Sequence, residues 1–265
     1  MTLAAAATLS GDAHGICISV VSHDQGSLVD RVLADLATLA PSAVRQVIVT
    51  VNVPGDRWEP GDGTLPWPLE VLRHPAPLGF GENHNLAFAR CTQPLFAVLN
   101  PDIRLPQDPF PALIAALGAT TNCALAVPVQ LDAAGRRESF ARPVPTPWGV
   151  LARRLLPTAH RARRPAAVPH WVAGAFMLWR ADVYARLGGF NERYFLYCED
   201  VDICLRLQLA QQRFSIVESV PVVHAAQRGS GRSWRYLGWH ARSLLRLWTS
   251  PVFWQYLASG AARGA

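Results

Sequence analysis

The first hundred residues alternate short β-branched apolar runs with stretches whose apolar positions recur at helical spacing, and each apolar run ends in polar residues. Ile16 to Ser22, Val44 to Val51, Leu69 to Leu72 and Leu95 to Leu99 have the strand pattern, while Leu28 to Leu39 and Glu82 to Ala89 have the helix pattern. Strands alternating with helices predict a mostly parallel sheet covered by helices, an α/β fold. Ligands of such sheets bind beyond the carboxyl ends of the strands, which directs attention to Ser22 to Gln25, Asn52, and Asn100 to Asp102. The same logic continues with a helix over Asp108 to Leu117, a strand at Ala124 to Val129 and a hairpin tip at Asp132 to Gly135 before Glu138 to Ala141. Ordered structure is then expected at Trp171 to Trp179, a short helix at Asp182 to Leu187, a turn at Gly188-Gly189 and a longer helix opening near Glu199.

At 265 residues and 50% hydrophobic content the chain can bury a full core, and one domain over 16–232 is expected, after a tail at 1–15 and before an amphipathic segment at 233–265. Residues 142–169 carry six prolines and six arginines, which predicts an irregular basic loop. The net charge of +6 is carried by arginine alone, since lysine is absent, and the guanidinium fork suits phosphate recognition. Zinc-finger spacing, a basic heptad helix and an aromatic RNA-binding signature are all missing, so nucleic acid is not expected as a partner. The five cysteines lack CxxC spacing and read as reduced thiols of a cytosolic protein. No apolar run is long enough for a membrane span.

Three acidic or basic constellations carry the chemistry. Asn100-Pro101-Asp102 follows a buried-type strand, where a carboxylate reaches a divalent cation bound to a nucleotide-sugar's diphosphate; an Asn-Pro-Asp turn closing a strand is the alternative. Glu199, Asp200 and Asp202 crowd the start of a helix. Capping and the helix dipole account for one or two of them, and a functional carboxylate pair accounts for all three. His224 ends the strand-like run Val220 to Val223, as a structural histidine or as a ligand beside a carboxylate metal site.

In order and spacing these segments resemble glycosyltransferase family 2, inverting enzymes of the GT-A fold, in particular the rhamnosyltransferase-like branch of bacterial surface polysaccharide synthesis. The resemblance runs from Ile16–Ser22 through Leu78-Gly79-Phe80-Gly81-Glu82-Asn83-His84-Asn85, Val98–Asp102, Gly174–Leu178, Gly188–Glu192 and Phe195–Arg206 to His224. It implies a Rossmann-like nucleotide-binding half and an acceptor half. It also implies Asp102 and His224 as ligands of a divalent metal, Mg or Mn, and Asp200 as catalytic base with Glu199 as runner-up. Ser22, Asn52, Asn85 and Asn100 would bind the nucleotide-sugar. A hexosyl transfer from a nucleotide-diphosphate sugar, first of all rhamnose, to a saccharide or polyprenyl-pyrophosphate-linked acceptor follows, with a UDP-hexose or UDP-N-acetylhexosamine donor, or an inactive sugar-nucleotide-binding protein, as alternatives. The sequence departs from the family at Val51, where an aspartate usually contacts the base, at Asn100 in the metal motif, and at Asn191 after Gly-Gly-Phe.

Read as a helix, Ser233 to Thr249 puts Trp234, Leu237, Ala241, Leu244, Leu245 and Trp248 on one side and Arg235, Arg242 and Arg246 opposite. Such a helix either packs on a core or lies in a membrane interface, and Pro251 to Leu257 adds three aromatics that favour the interface. The expected location is therefore cytoplasmic, at the inner face of the cytoplasmic membrane.

Overall fold

The computed structural model describes residues 15–40, 42–61, 63–155, 169–225 and 234–260. The amino-terminal half reads β1 (Ile16–Ser22), α1 (Gly26–Leu39), β2 (Val44–Val51), β3 (Leu69–Arg73), α2 (Phe80–Phe88) and β4 (Leu95–Leu99). Next come β5 (Ile103–Arg104), α3 (Phe110–Gly118), β6 (Cys123–Leu131), β7 (Ala141–Arg142) and α4 (Pro147–Leu155). The chain closes with β8 (Trp171–Val172), β9 (Phe176–Arg180), α5 (Ala181–Arg186), α6 (Glu199–Leu209), β10 (Arg213–His224), α7 (Trp234–Trp248) and α8 (Pro251–Ala258).

Eight strands form one sheet in the order β3-β2-β1-β4-β9-β6-β10-β5, in which only β9 and β5 run against their neighbours. The mostly parallel α/β sheet expected from the sequence is therefore present. Its strands are apolar on both faces because helices cover both. Alternation along the strands divides the core in two: Ile16, Ile18 and Val20 of β1 pack with α1 and α3 side chains, while Cys17 of β1, Phe96 of β4 and Trp179 of β9 join Tyr184, Leu205 and Phe253 beneath α5, α6 and α8. The strand order steps outward from β1 to β3 and then restarts at β4 on the other side of β1. This reversal opens a crevice at the carboxyl ends of β1 and β4, where the polar residues of the sequence motifs stand.

Several expectations change. Residues 142–169 do not form one irregular loop: Arg142 lies in β7, paired with Trp171 of β8, and 147–155 form a helix that starts on proline, the residue best suited to a first turn. The rest of that segment, with Arg161, Arg163 and Arg164, falls outside the described residues, as do the tail to residue 14 and Gln227 to Ser233. Asp132 to Gly135 does turn, with Gly135 at φ +74°, but the return strand of the hairpin is confined to a single bridge at Arg137. The apolar side assigned to α7 also faces outward more than inward. Trp234 is 85% exposed, and Leu237, Ala241 and Leu245 are exposed along the same stripe, while Ser243 and Leu247 make the buried contact.

Asp202, one of the three crowded acids, proves to be an architectural residue. It is fully buried and receives Arg206 Nε at 2.7 Å, one helical turn later. The same guanidinium donates to the carbonyls of Leu187 and Gly189, at 2.5 and 2.8 Å, and so ties α6 to the glycine turn after α5. Arg206→Met strands the buried Asp202 carboxylate and is expected to cost about 3–5 kcal/mol, read as a lowered urea midpoint at unchanged slope.

Candidate active site

β4 delivers Asn100-Pro101-Asp102 into the crevice. The Asn100 N–H donates to Ala175 O at 2.8 Å and the Ala225 N–H to Asp102 O at 2.9 Å, so the tripeptide is held from both sides. β10 pairs His224 with Ile103 of β5, and this register brings the imidazole to the motif: His224 Nε2 lies 3.4 Å from Asp102 Oδ2. The other ring nitrogen, Nδ1, lies 2.8 Å from Glu138 Oε2. Burial disfavours the imidazolium, yet hydrogen bonds and charge from Asp102 and Glu138 outweigh it and raise the His224 pKa to about 9. Two carboxylates thus hold positive charge at this point, and Asp102 Oδ1 remains buried without a hydrogen-bond partner. That arrangement suits a divalent cation. Among the described residues no three His, Cys, Asp or Glu side chains form a metal cage, and Asp102, His224 and Glu138 make a carboxylate–histidine–carboxylate chain.

Asp102 and Asn100 line a cleft of about 270 Å³ shared with His23, Gln25, Asn52 and the aromatics Phe195, Tyr236 and Trp239. The Asn52 amide is committed to the backbone of Leu78: its Nδ2 donates to the carbonyl at 3.0 Å and its Oδ1 accepts from the N–H at 2.8 Å. Asn52 therefore walls the cleft, and the buried Val51 beside it brings no polar group. Ser22 is fully buried and forms no part of the cleft lining. Its hydroxyl donates to Asp56 Oδ2 at 3.3 Å and accepts from the Gln25 N–H at 3.2 Å, which shapes the turn after β1.

Asn85 stands apart from the cleft altogether. Its Oδ1 accepts from Tyr184 Oη and the Phe190 N–H at 2.8 and 2.9 Å, and its Nδ2 donates to Phe190 O and Glu192 Oε1 at 2.8 and 3.0 Å. The glycines of this motif serve the same packing. A Cβ on Gly79 would meet the Tyr194 carbonyl at 2.9 Å, and one on Gly189, at φ +66°, would meet Asn85 Oδ1 at 2.3 Å. His84 is buried and its pKa is lowered by burial to about 3, a neutral ring bonded to Ser19.

The chain then reaches the carboxylates through two consecutive left-handed residues, Tyr197 at φ +70° and Cys198 at φ +67°. Non-glycine residues in this region cost on the order of 1–3 kcal/mol each and cluster at functional sites. The result places Phe195 and Leu196 on the cleft and turns Tyr197, Cys198 and Asp200 toward a second, adjoining cavity of about 510 Å³. α7 lines both, with Tyr236 and Trp239 on the first and His240 and Leu244 on the second. Burial pushes the Asp200 carboxyl up to about 6, against hydrogen bonds from the Val201 and Gly174 N–H groups and the charge of Arg142. Glu199 is pushed well above the carboxylate range by burial and then by the Asp200 charge, and its Oε2 has no partner. It is buried behind the wall while Asp200 reaches the cavity. The structure therefore brings Asn52, Asn100, Asp102 and His224 together, sets Asp200 in the neighbouring cavity, and leaves Ser22 and Asn85 outside both. Glu138, Arg142, Tyr236 and Trp239 went unassigned in the sequence, where no local pattern marks them.

Comparison with known proteins agrees with this geometry. No protein-family model matches the chain. It is 42% identical over 81 residues to the rhamnosyltransferase WbbL of Escherichia coli K12, a match spanning 30% of each protein. It is 27% identical over 279 residues to the N-acetylglucosaminyl-diphospho-decaprenol L-rhamnosyltransferase of Mycobacterium tuberculosis, covering 93% of this chain and 90% of the relative. Among solved structures, that of GalNAc-T7 with UDP, GalNAc and Mn²⁺ superposes with a TM-score of 0.59 at 12% identity, covering 81% of this chain and 43% of that one. Fold and relatives together define a glycosyltransferase of the GT-A fold. Both sequence relatives within that class are rhamnosyltransferases.

Proposed function

We propose that the protein is an inverting, metal-dependent transferase that moves a sugar, rhamnose first of all, from a nucleotide-diphosphate donor to a lipid-linked saccharide in bacterial surface polysaccharide synthesis. The observation that carries this is the division of labour between two adjoining cavities: Asp102, with His224 against it, lines one, and Asp200 lines the other. Acceptance of a lipid-linked sugar is suggested by the M. tuberculosis relative, whose name specifies such a substrate.

In this mechanism the cleft between Asn52, Asn100 and the aromatics of α7 holds the nucleotide, and Asp102 and His224 would hold Mg²⁺ or Mn²⁺ against its diphosphate. The metal would neutralise charge growing on the leaving diphosphate. With a metal bound in place of the Nε2 proton, Glu138 would accept the Nδ1 proton of His224 and so fix the tautomer that leaves Nε2 as a ligand. Asp200 takes the proton of the acceptor hydroxyl as it attacks the anomeric carbon from the face opposite the diphosphate. Burial and the Asp200 charge favour the protonated form of Glu199, and Asp200 is the member of the pair that lines the cavity. A UDP-hexose or UDP-N-acetylhexosamine donor is the second reading, because the apolar Val51 offers the base no hydrogen bond by which to select it.

Asp200→Asn is expected to lower kcat by about 10²–10⁴-fold with Mn²⁺ affinity retained, whereas Glu138→Gln weakens Mn²⁺ binding about 10–100-fold in an EPR titration. A base must be ionised to act, so wild-type kcat/KM should fall about tenfold per unit below a pH of about 6, the value to which Asp200 is raised. Full turnover by Asp200→Asn excludes the assignment.

The exposed stripe Trp234, Leu237, Ala241 and Leu245 on α7, with Trp148 and Leu151 on α4, forms a second surface feature. With Arg235 and Arg242 beside it, this stripe suits an anionic membrane face, and no helix among the described residues is long and apolar enough to cross a membrane. The protein is expected to float with anionic liposomes, and Leu237→Arg with Leu245→Arg to release it. A wild-type protein that stays at the bottom of the gradient rules the contact out.

A further inference from the structure

The second cavity has a chemistry that the proposed transfer does not by itself require. Its walls are largely apolar, from Pro143, Pro145 and Val150 on one side to Leu244 on the other. Polar side chains contribute little beyond Arg142, Asp200 and His240. Burial and the nearby Arg142 charge lower the pKa of His240, so Arg142 is the fixed positive charge of the cavity. A free oligosaccharide, ringed with hydroxyls, would leave most of its hydrogen bonds unmade here. An amphiphile with one anionic group would not.

Arg142 is also unusually well placed for a single contact. Its backbone is fixed by pairing of β7 with β8, its Nε donates to Ser139 O at 2.5 Å and Oγ at 3.2 Å, and its guanidinium lies 5.5 Å from the Trp171 ring. A guanidinium held this way loses little freedom on binding a phosphate and presents the geometry for a bidentate contact. At about 510 Å³ the cavity has the size of a small-ligand site. Two of its wall residues, Val150 and Leu244, come from α4 and α7, the helices that carry Trp148, Leu151 and Leu245 exposed on the outside. Apolar surface therefore continues from the cavity wall to the outer face.

We propose that this cavity takes a polyprenyl-diphosphate-linked acceptor, with Arg142 binding the diphosphate, the apolar walls holding the first isoprene units, and Asp200 facing the sugar hydroxyl. This rests on the lipid-linked reading of the acceptor and adds the anion contact to it. Arg142 is a binding residue for the acceptor and takes no part in holding the donor, which lies on the other side of the Phe195–Cys198 wall.

The test uses binding alone, so that it stands apart from any question of turnover. The full chain in EDTA, which removes metal-assisted diphosphate binding in the donor cleft, is titrated by calorimetry with farnesyl diphosphate, farnesol and inorganic diphosphate. Farnesyl diphosphate should bind at least about tenfold more tightly than either half alone, in line with a charge-assisted hydrogen-bonded contact. Arg142→Gln should erase its advantage over farnesol while farnesol binding stays as it was, and Arg142→Lys should restore part of it. Leu244→Trp, which fills the cavity from the opposite wall, should block both prenyl ligands and guards against a folding defect in the arginine variant. Equal binding of farnesol and farnesyl diphosphate to the wild type, no binding of either, or undiminished farnesyl diphosphate binding by Arg142→Gln overturns the proposal. Failure of the transferase reading would instead appear as donor sugar that is never transferred.

Discussion

Everything at the carboxylate end of this site hangs on the turn Gly188-Gly189-Phe190 and the two side chains that hold it. Asn85 grips it from α2 with four hydrogen bonds, and Arg206 grips it from α6 through Leu187, Gly189 and the buried Asp202. The Asn85 grip crosses about a hundred residues of sequence, and Arg206 reaches back 19 and 17 residues to the carbonyls of Leu187 and Gly189. Together with the packing of α6 on β8 and α8, they fix α6, and hence Asp200, relative to the strand ends that carry Asp102. The tight approach of Gly79 to the Tyr194 and Phe195 backbone completes the joint, since any side chain there would push α2 away.

Charge is arranged with the same economy. On one side of the Phe195–Cys198 wall, two carboxylates flank a histidine and raise its pKa, a place prepared for a cation. On the other side, burial raises two carboxyls, and the exposed one is tempered by Arg142 and two backbone N–H groups. Like charges so close oppose each other's ionisation, and Asp200 is the one of the two that faces the cavity. The left-handed Tyr197 and Cys198 are the local strain that lets one short segment face both cavities.

Much of this was legible in the sequence because it is local. Strands β1, β2 and β4 follow their apolar runs residue for residue, and the order of polar clusters at their ends indicated the crevice. What was not legible is long-range. Nothing near Glu138 announces a partnership with His224, 86 residues away. Asn85 looks like a nucleotide ligand in sequence and is a clamp in space. Asp202 reads as one acid of three, and only its burial against Arg206 separates it from the other two. Arg142 was hidden at the edge of a proline-rich stretch whose composition argued for an irregular loop, although it pairs with Trp171 of β8. The outward turn of Trp234 and Leu237 depends on packing against Leu196, through Ser243, which helical periodicity cannot convey.

The central claim is direct displacement, in which the acceptor hydroxyl, giving its proton to Asp200, attacks on the face opposite the diphosphate. NMR of the purified product measures this by the one-bond carbon–proton coupling at its anomeric centre. The account predicts a configuration inverted relative to the nucleotide-sugar donor. Retention of the donor's anomeric configuration would contradict it.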